Sequence, residues 1–530
     1  MRVFTSHLAP VFTDELFHVL AGQAMAQGRG TALIDGHYDR GWLYTAAVAG
    51  LYRMDGMNGM GSVALARLPA LLAGAVCPAL LFLLVDRTAG RAAAIIAAAL
   101  LTLDALSVEY SQFARFYTAQ QLCVLGMVLV GHDALHRPLR QAVPRGLGAL
   151  VLAILAIHFQ VTSVVVVAAF AGFVMGEVLL RPSVRAWLWQ KQRRWWVVTA
   201  LILMLVVGLA SVVALWPMLQ TSDGWAEANR SNLRFYFDAL LASWPVLWPL
   251  TGFLTLAALW CWPRVTILCV LLFATTFVVQ SLGSMKTARY LLHVLPFLFA
   301  LWAMGSVVAL RALAAALRIM AERIHAERGT QDVATAPFTM AGFVISGLFI
   351  SGLAISAMAI LLPNPALATT LAATLRSVGP VLHNPAILLA EPDDPPWSTG
   401  SDALRATVPH DALLVSADVM RTARHLRAPQ LSFRSDGDPP GSFFPVDQRT
   451  GLPRVGRPDS LELLIRCTRH GAILVPQSKW RTFAVSDAAA QTVERLTMRL
   501  PAPPGFRLYR WSHAPARMPG CATVTQALGK

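Results

Sequence analysis

Charged residues are scarce in this chain of 530 residues, where they make up 14% of the sequence. An ordinary soluble protein is about a quarter charged. Hydrophobic residues make up 56%, and the mean hydropathy is +0.54. This small number of charged residues is too few to cover a water-exposed surface. The composition therefore excludes an ordinary soluble protein and predicts a polytopic membrane protein.

Cysteine is also rare, with six residues and no CxxC pair. Four of them lie in apolar runs, where cysteine behaves as a small apolar residue: Cys77, Cys123, Cys261 and Cys269. Cys467 and Cys521 lie in the polar tail, where the sequence leaves a disulfide open.

Apolar stretches of about 20 residues, the length that crosses a bilayer core, recur over the first two thirds of the chain. They lie near 63–85, 91–108, 118–135, 195–218, 245–262, 265–282, 290–310 and 338–362. The run 146–180 is too long for one span and is expected to fold back as two. The sequence therefore predicts an α-helical membrane domain over residues 1–362 with about ten spans.

Basic residues mark the orientation of these spans, because short cytoplasmic loops are rich in Lys and Arg. Three loops are basic: 133–145, 181–194 ("RPSVRAWLWQKQRR") and 311–328. By span count all three lie on one face, which is then cytoplasmic. The same distribution explains the formal charge of +15 without nucleic acid as a partner.

The opposite face receives residues 1–62, 107–117, 219–244, 283–289 and everything after 362. No apolar helix precedes residues 1–62 to export them. We therefore expect that a start codon placed too late leaves out a first transmembrane helix.

The chain changes character near its end. A linker covers 363–394, and the Pro-rich "EPDDPP" at 391–396 belongs to this connection; residues 395–530 contain β-like runs at 412–416, 472–476 and 506–511. A helix-like segment, 487–496, separates two of these runs. Alternating strands and helices predict a small extracytoplasmic α/β domain.

Two adjacent acids, Asp14 and Glu15, stand out in the otherwise apolar "VFTDELFHVLAG", with His18 one helical turn on. The pattern D-E-x-x-H differs from the zinc-protease motif H-E-x-x-H at one ligand position, and no further ligand pattern flanks it. A simpler interpretation is that both acids only cap an interfacial helix, where the helix dipole favours negative charge.

Further ionisable residues are predicted on the same face as this pair. The segment "LDALSVEYSQFARFYTAQQL" carries Glu109, Arg115 and Tyr117, and "GSMKTARYLLHVLPFLFAL" carries Lys286 and Arg289. Bases on an exported face run against the usual distribution, although each alone is also explained by snorkelling to lipid headgroups. Together, acids and bases on one face of the membrane are typical of a site that binds a lipid-linked phosphate.

Four stretches carry a resemblance to a known family: "TDELFHVLAGQAMAQG", "GSVALARLPALLAGAV", "YSQFARFYTAQQL" and "KTARYLLHVLPFL". In order and spacing, over roughly residues 1–310, they resemble the GT-C-type membrane glycosyltransferases. The similar branch includes protein O-mannosyltransferases, aminoarabinose transferases of lipid A and lipopolysaccharide-core galacturonosyltransferases. The absent first span is the departure from the family pattern.

The resemblance implies an inverting transfer of a sugar from a polyprenyl-phosphate donor at the outer face of the bacterial cytoplasmic membrane. It assigns the base role to Asp14, with Glu15 beside it, and adjacent carboxylates tend to raise one pKa. Lys286 and Arg289 are expected to hold the phosphate. Arg115 shares that work or pairs with Glu109.

The remaining expected substrate-binding residues are His18, Glu109, Tyr117 and Tyr290, the two tyrosines as pocket-lining residues. No cofactor is predicted; a divalent metal at Asp14 and Glu15 stays open without being predicted. The expected partners are the donor lipid, an envelope glycan, lipid or protein acceptor, and membrane lipids.

Two other classes of membrane protein stay open as alternatives. A secondary transporter would need intramembrane ionisable groups, and Asp104 is the one candidate, but no inverted repeat is visible. A flippase, polymerase or ligase for polyprenyl-linked glycans shares the substrate class, and the acidic pair in the first exported segment argues against it.

Overall fold

The computed structural model has a helical part followed by a part built around a sheet. It describes residues 9–56, 58, 61–180, 232–283, 286–327, 397–435, 442–447, 449–482, 484–516 and 518–529. The expected spans 195–218 and 338–362 and the linker 363–394 lie outside the described residues.

The helical part begins with two helices joined through a short hairpin, and apolar helices of varied length follow. Its helices are α1 (Glu15–Ala26), α2 (Trp42–Met54), α3 (Val63–Ala89), α4 (Arg91–Leu103), α5 (Ala105–Ser111), α6 (Tyr117–Leu135), α7 (Leu139–Phe159), α8 (Ser163–Leu179), α9 (Phe235–Ser243), α10 (Thr251–Cys261), α11 (Pro263–Leu282) and α12 (Leu295–Glu327). Strands β1 (Ala32–Leu33) and β2 (Gly36–His37) form an antiparallel hairpin between α1 and α2. A short 3₁₀ helix, Ala288–Leu291, precedes α12.

Four of the described helices are long and apolar enough to cross a membrane: Val63–Ala89, Leu139–Phe159, Pro263–Leu282 and Leu295–Met320. The α4–α5 pair, bent by 59°, makes a fifth if it counts as one span. The run 146–180 does fold back as two helices, α7 and α8. The total of about ten spans stays a prediction.

The local sequence explains where several of these helices begin and end. Ser62 caps α3, because its hydroxyl accepts a hydrogen bond from the Leu65 amide, and Gly90 ends the helix with φ +96°. Pro263 stands in the first turn of α11, where its missing N–H costs nothing. The α4–α5 break falls at Asp104, whose carboxylate caps α5 through the Ser107 amide at 2.8 Å.

The second part, residues 397–529, is called the C-terminal region below. Its elements are α13 (Trp397–Thr407), β3 (Leu413–Ser416), α14 (Val419–His425), β4 (Leu431–Phe433), β5 (Arg454–Val455), α15 (Pro458–Cys467), β6 (His470–Pro476), α16 (Asp487–Leu496), β7 (Met498–Leu500), β8 (Phe506–Ser512) and α17 (Cys521–Ala527). Strands β3 to β8 form one six-stranded mixed sheet in the order β5-β4-β3-β6-β8-β7.

Within this sheet, β5, β4, β3 and β6 run parallel, whereas β8 pairs antiparallel with both β6 and β7. Strands occur at the three β-like runs, and α16 coincides with the expected helix 487–496. Strands β4, β5 and β7 were not predicted. A disulfide joins Cys467 in α15 to Cys521 in α17.

Candidate active site

Asp14 lies at the N-terminal end of α1, but its carboxylate makes no capping hydrogen bond to that helix. Its Oδ2 accepts a hydrogen bond from Nη1 of Arg289 at 3.3 Å and lies 4.0 Å from Nη2 of Arg115. The side chain is 30% exposed, so a substrate group can reach it. The interpretation of Asp14 as only a helix cap does not account for these contacts.

The electrostatic surroundings keep Asp14 ionised. Burial raises the pKa of this carboxyl, but the positive charges of Arg115, Arg289 and Arg449 together outweigh burial and hold the pKa below its ordinary value of 3.8. The expectation of a pKa raised by the neighbouring acid is therefore wrong.

Glu15 points away from Asp14 into the protein and is fully buried. Its two oxygens accept from Nε and Nη2 of Arg67, both at 2.8 Å, and from the amides of Ala114 at 2.7 Å and Phe12 at 2.8 Å. Four donors therefore hold a carboxylate that presents no surface to a substrate. Glu15 ties α1 to α3 and to the loop before α6, which corrects its assignment as a second catalytic acid.

His18 belongs to the core beneath the site and not to a substrate pocket. Its imidazole is fully buried, bonded through Nδ1 to the Thr45 hydroxyl at 2.9 Å, and packed edgewise against Tyr38, Tyr44 and Phe116. Burial, with the nearby Arg115, holds the pKa of His18 well below 6.5. The ring is a packing group, and its predicted substrate-binding role is corrected accordingly.

Arg115 is buried and fixed in direction by several acceptors. Its Nη1 donates to the Tyr38 hydroxyl at 2.9 Å and to the Asp14 carbonyl at 3.1 Å, and its Nη2 donates to the Tyr117 hydroxyl at 3.4 Å. Of the two expected alternatives, pairing with Glu109 does not occur; Glu109 lies exposed on α5. Arg115 and Tyr117 thus come to the site, whereas Glu109 does not contact Arg115.

Arg289 reaches Asp14 from the 3₁₀ helix before α12. Its guanidinium lies 5.5 Å from the ring centre of Tyr117 and 5.8 Å from that of Tyr290, within cation–π range of both. Two contacts fix the segment: the Thr287 amide donates to the Tyr236 hydroxyl at 3.3 Å, and the side-chain amide of Gln121 donates to the Leu292 carbonyl at 2.7 Å.

Lys286 lies beside the site and binds backbone carbonyls that the sequence did not indicate. Its ammonium group donates to the carbonyls of Ser281 and Gly283, at 2.5 and 2.9 Å, at the carboxyl end of α11. A lysine in this position satisfies orphan carbonyls and favours the negative end of the helix dipole. The position of Lys286 is therefore that of a helix cap beside the site, not of a partner of Asp14.

Three arginines near the site were not singled out from the sequence as site residues. Arg67, 1% exposed, pairs with Glu15; a single Arg inside an apolar run was the available signal. Arg40, exposed before α2, lies close enough to Tyr290 to interact with it electrostatically. The positive charge of Arg449, in the C-terminal region, lowers the pKa of Asp14, and its guanidinium lies 5.1 Å from the ring centre of Phe17.

Asp104, the residue that a transporter would have used, has a structural explanation. It is buried, caps α5, and its second oxygen accepts from the Trp244 indole at 3.3 Å. The described part of the chain also holds no cluster of three or more His, Cys, Asp or Glu that could bind a metal ion. Asp14 and Glu15 accept hydrogen bonds from different arginines, Arg289 and Arg67.

Comparison of the chain with known proteins gives matches only among solved structures. No protein-family model and no curated protein matches the sequence. Crystal structures of ArnT from Cupriavidus metallidurans match over 96% of this chain: the apo state has a TM-score of 0.53 and 13% identity over 95% of its own length. The structure bound to undecaprenyl phosphate has a TM-score of 0.54 and 14% identity over 96% of its own length.

The archaeal oligosaccharyltransferase AglB from Archaeoglobus fulgidus, in complex with an inhibitory peptide and a dolichol-phosphate, is also similar. It matches with a TM-score of 0.56 and 10% identity, covering 98% of this chain and 74% of its own. At these identities the comparison establishes the fold alone. ArnT and AglB are GT-C family glycosyltransferases, so the resemblance seen in the sequence motifs is confirmed, and the chain has the GT-C fold.

Proposed function

We propose that this protein is an inverting glycosyltransferase, which moves a sugar from a polyprenyl-phosphate donor to a hydroxyl or phosphate of an envelope glycan, lipid or protein. The observation that carries the proposal is the contact of Asp14 with Arg289 at 3.3 Å, with Arg115 close by. An accessible carboxylate beside two guanidiniums combines a proton acceptor with an anion site. The neighbours solved with undecaprenyl phosphate and dolichol-phosphate support this choice of donor.

The guanidiniums are suited to the charge that develops during transfer. In the donor the phosphate is a diester; when the bond from the anomeric carbon to the phosphate oxygen breaks, polyprenyl phosphate leaves with the bonding electron pair and gains negative charge. Arg289 and Arg115 stabilise that charge. Tyr117 and Tyr290 hold the Arg289 guanidinium by cation–π contact.

Asp14 supplies the base for the attacking group. The acceptor hydroxyl attacks the anomeric carbon on the face opposite the phosphate, and its proton passes to Asp14 as the new glycosidic bond forms. The neighbouring arginines lower the pKa of Asp14. Bound phosphate competes for the same guanidiniums and adds negative charge nearby, so the donor itself raises the pKa of Asp14 and strengthens the base.

The site is proposed to lie on the extracytoplasmic side of the cytoplasmic membrane. The disulfide between Cys467 and Cys521 supports this, because disulfides persist in oxidising compartments. The basic loops support the same orientation from the other face. A reporter that is active only outside the cytoplasm, fused after residue 400, should be active. A silent fusion there, with an active cytoplasmic reporter at the same position, contradicts the orientation and the site.

Mass spectrometry of envelope glycolipids and glycans from a deletion strain tests the activity. We expect one sugar substituent to disappear, to return with the wild-type gene, and to stay absent with an Asp14→Asn gene expressed at the same level. An unchanged set of glycolipids and glycans in the deletion strain would count against a transferase. This experiment also identifies the sugar and the acceptor.

A further inference from the structure

The C-terminal region is docked on the segment that leads into Asp14. In α14, Nη1 of Arg421 donates to the Thr13 hydroxyl at 2.6 Å, and its Nη2 donates to the Val11 carbonyl at 2.5 Å. One turn on, Nη1 of Arg424 donates to the Gly61 carbonyl at 2.7 Å. The two arginines thus hold different residues: Arg421 binds Val11 and Thr13, close to Asp14, and Arg424 binds Gly61.

A second, independent contact lies at the β1–β2 hairpin. The Asp35 amide donates to the Thr450 carbonyl at 3.0 Å. Gly451 has φ +71°, and a Cβ there would lie 2.3 Å from the carbonyl group of Asp35. Backbone therefore packs on backbone at this point, so the docking geometry is close and does not depend on Arg421 alone.

The guanidinium of Arg421 is itself held from behind. Asp418 has a fully buried carboxylate, whose Oδ2 accepts from Nη1 of Arg421 at 3.0 Å and from Nζ of Lys479 at 2.9 Å. A planar guanidinium fixed on one edge presents its other N–H groups in a defined direction. Arg421 is therefore a rigid connector between the C-terminal region and residues 11–13.

We propose that Arg421 is a positioning residue for catalysis, through which the C-terminal region sets the place of Asp14. The inference rests on the proposed function of Asp14. Residues 11–13 form the first turn leading into α1, where the Glu15 amide donates to the Phe12 carbonyl at 2.9 Å. A shift of this turn carries the Asp14 carboxylate with it, and a misplacement of about 1 Å at a reacting group can cost about a hundredfold in rate.

The test measures transfer by the full-length protein and binding of undecaprenyl phosphate as the probe for the donor site. Arg421→Ala should lower kcat by about ten- to a hundredfold and leave the Kd for undecaprenyl phosphate within about twofold, because Arg289 and Arg115 stay in place. Arg421→Lys should recover part of kcat, since lysine keeps the charge beside Asp418 and can still donate to one acceptor.

Two further variants separate local positioning from docking of the region as a whole. Arg424→Ala, on the same helix and in the same interface, should keep near-normal kcat. Thr13→Val removes the hydroxyl that Arg421 binds; combined with Arg421→Ala it should lower kcat no further than Arg421→Ala alone, because both changes break one interaction.

Hydrogen exchange of residues 11–18 gives a readout that needs no activity. Arg421→Ala should speed exchange there, and Arg424→Ala should not. Equal losses of kcat in the two arginine variants, or unchanged exchange in Arg421→Ala, would overturn the positioning role. A wild-type protein that neither binds undecaprenyl phosphate nor transfers sugar would refute the proposed function instead, whatever the exchange data show.

Discussion

Replacing Glu15 with glutamine separates the roles of the two adjacent acids. Glu15 and its partner Arg67 are 0% and 1% exposed, and Nε and Nη2 of Arg67 bind the two carboxylate oxygens at 2.8 Å each. Each oxygen also accepts from one backbone amide, that of Phe12 or that of Ala114. Glutamine keeps the shape but turns one acceptor into a donor, so either orientation of its amide places an N–H₂ group against two donors.

The size of the effect follows from burial. Removing one partner of a buried ion pair costs about 3–5 kcal/mol, because the remaining charge loses its compensation away from water. Asp14→Asn, by contrast, alters a side chain that is 30% exposed, where an ion pair contributes about 1 kcal/mol or less. We therefore expect Glu15→Gln to be strongly destabilised and Asp14→Asn to unfold almost as the wild type does.

The assay is unfolding of the purified protein in mild detergent with increasing SDS, followed by tryptophan fluorescence. The double variant Glu15→Gln with Arg67→Met should regain part of the lost stability, because it removes the uncompensated charge as well. A Glu15→Gln protein that unfolds like the wild type, yet has lost transfer activity, would show that Glu15 acts in catalysis and would refute its structural role.

Three other predictions concern charge and covalent links. Lys286→Met should lower the free energy of unfolding by about 1 kcal/mol, because a helix cap is lost, and should leave the Kd for undecaprenyl phosphate nearly unchanged. A Kd weakened tenfold would instead indicate that Lys286 binds the phosphate. The acid limb of the kcat/KM profile reports the enzyme before the donor binds, so it should lie below pH 3.8, because arginines lower the pKa of Asp14 there. Arg449→Ala should move this limb to higher pH, because a charge that lowers the pKa is lost; an unmoved limb contradicts the effect of Arg449. Cys467→Ser should destabilise the C-terminal region by about 4 kcal/mol, because the lost disulfide spans a sequence separation of 54. The thermal unfolding midpoint should fall, and adding a reductant to the wild-type protein should lower it equally. Equal midpoints of the variant and the untreated wild type would contradict this prediction.

Features that depend on local sequence were predictable. Apolar runs gave the positions of α3, α11 and the folded-back pair α7 and α8, because span length is set by the thickness of the bilayer. Runs of aliphatic and β-branched residues predicted β3 and β6, and an aromatic-rich run predicted β8. The meeting of Asp14 with Arg115 and Arg289 was also expected, because all three were placed on one face of the membrane.

Features that depend on distant partners were not predictable from the residues alone. Glu15 looks like Asp14 in the sequence, and only the position of Arg67 in α3 shows that one acid is structural. The role of Lys286 depends on where α11 ends. Arg449 and Arg421 come from the C-terminal region, and no periodicity or spacing relates them to the first segment of the chain.

The most direct test of the central claim is the rate of sugar transfer by Asp14→Asn in membranes, at matched protein level and saturating donor. Asparagine keeps the size of the side chain and one acceptor oxygen but removes the base, and loss of general-base catalysis costs about 100- to 10,000-fold in rate. We expect a kcat lower by that factor, with undecaprenyl phosphate still bound. An Asp14→Asn enzyme with near-normal kcat would contradict it, and would return Asp14 to the role of an interfacial helix cap, in which asparagine and aspartate serve about equally well.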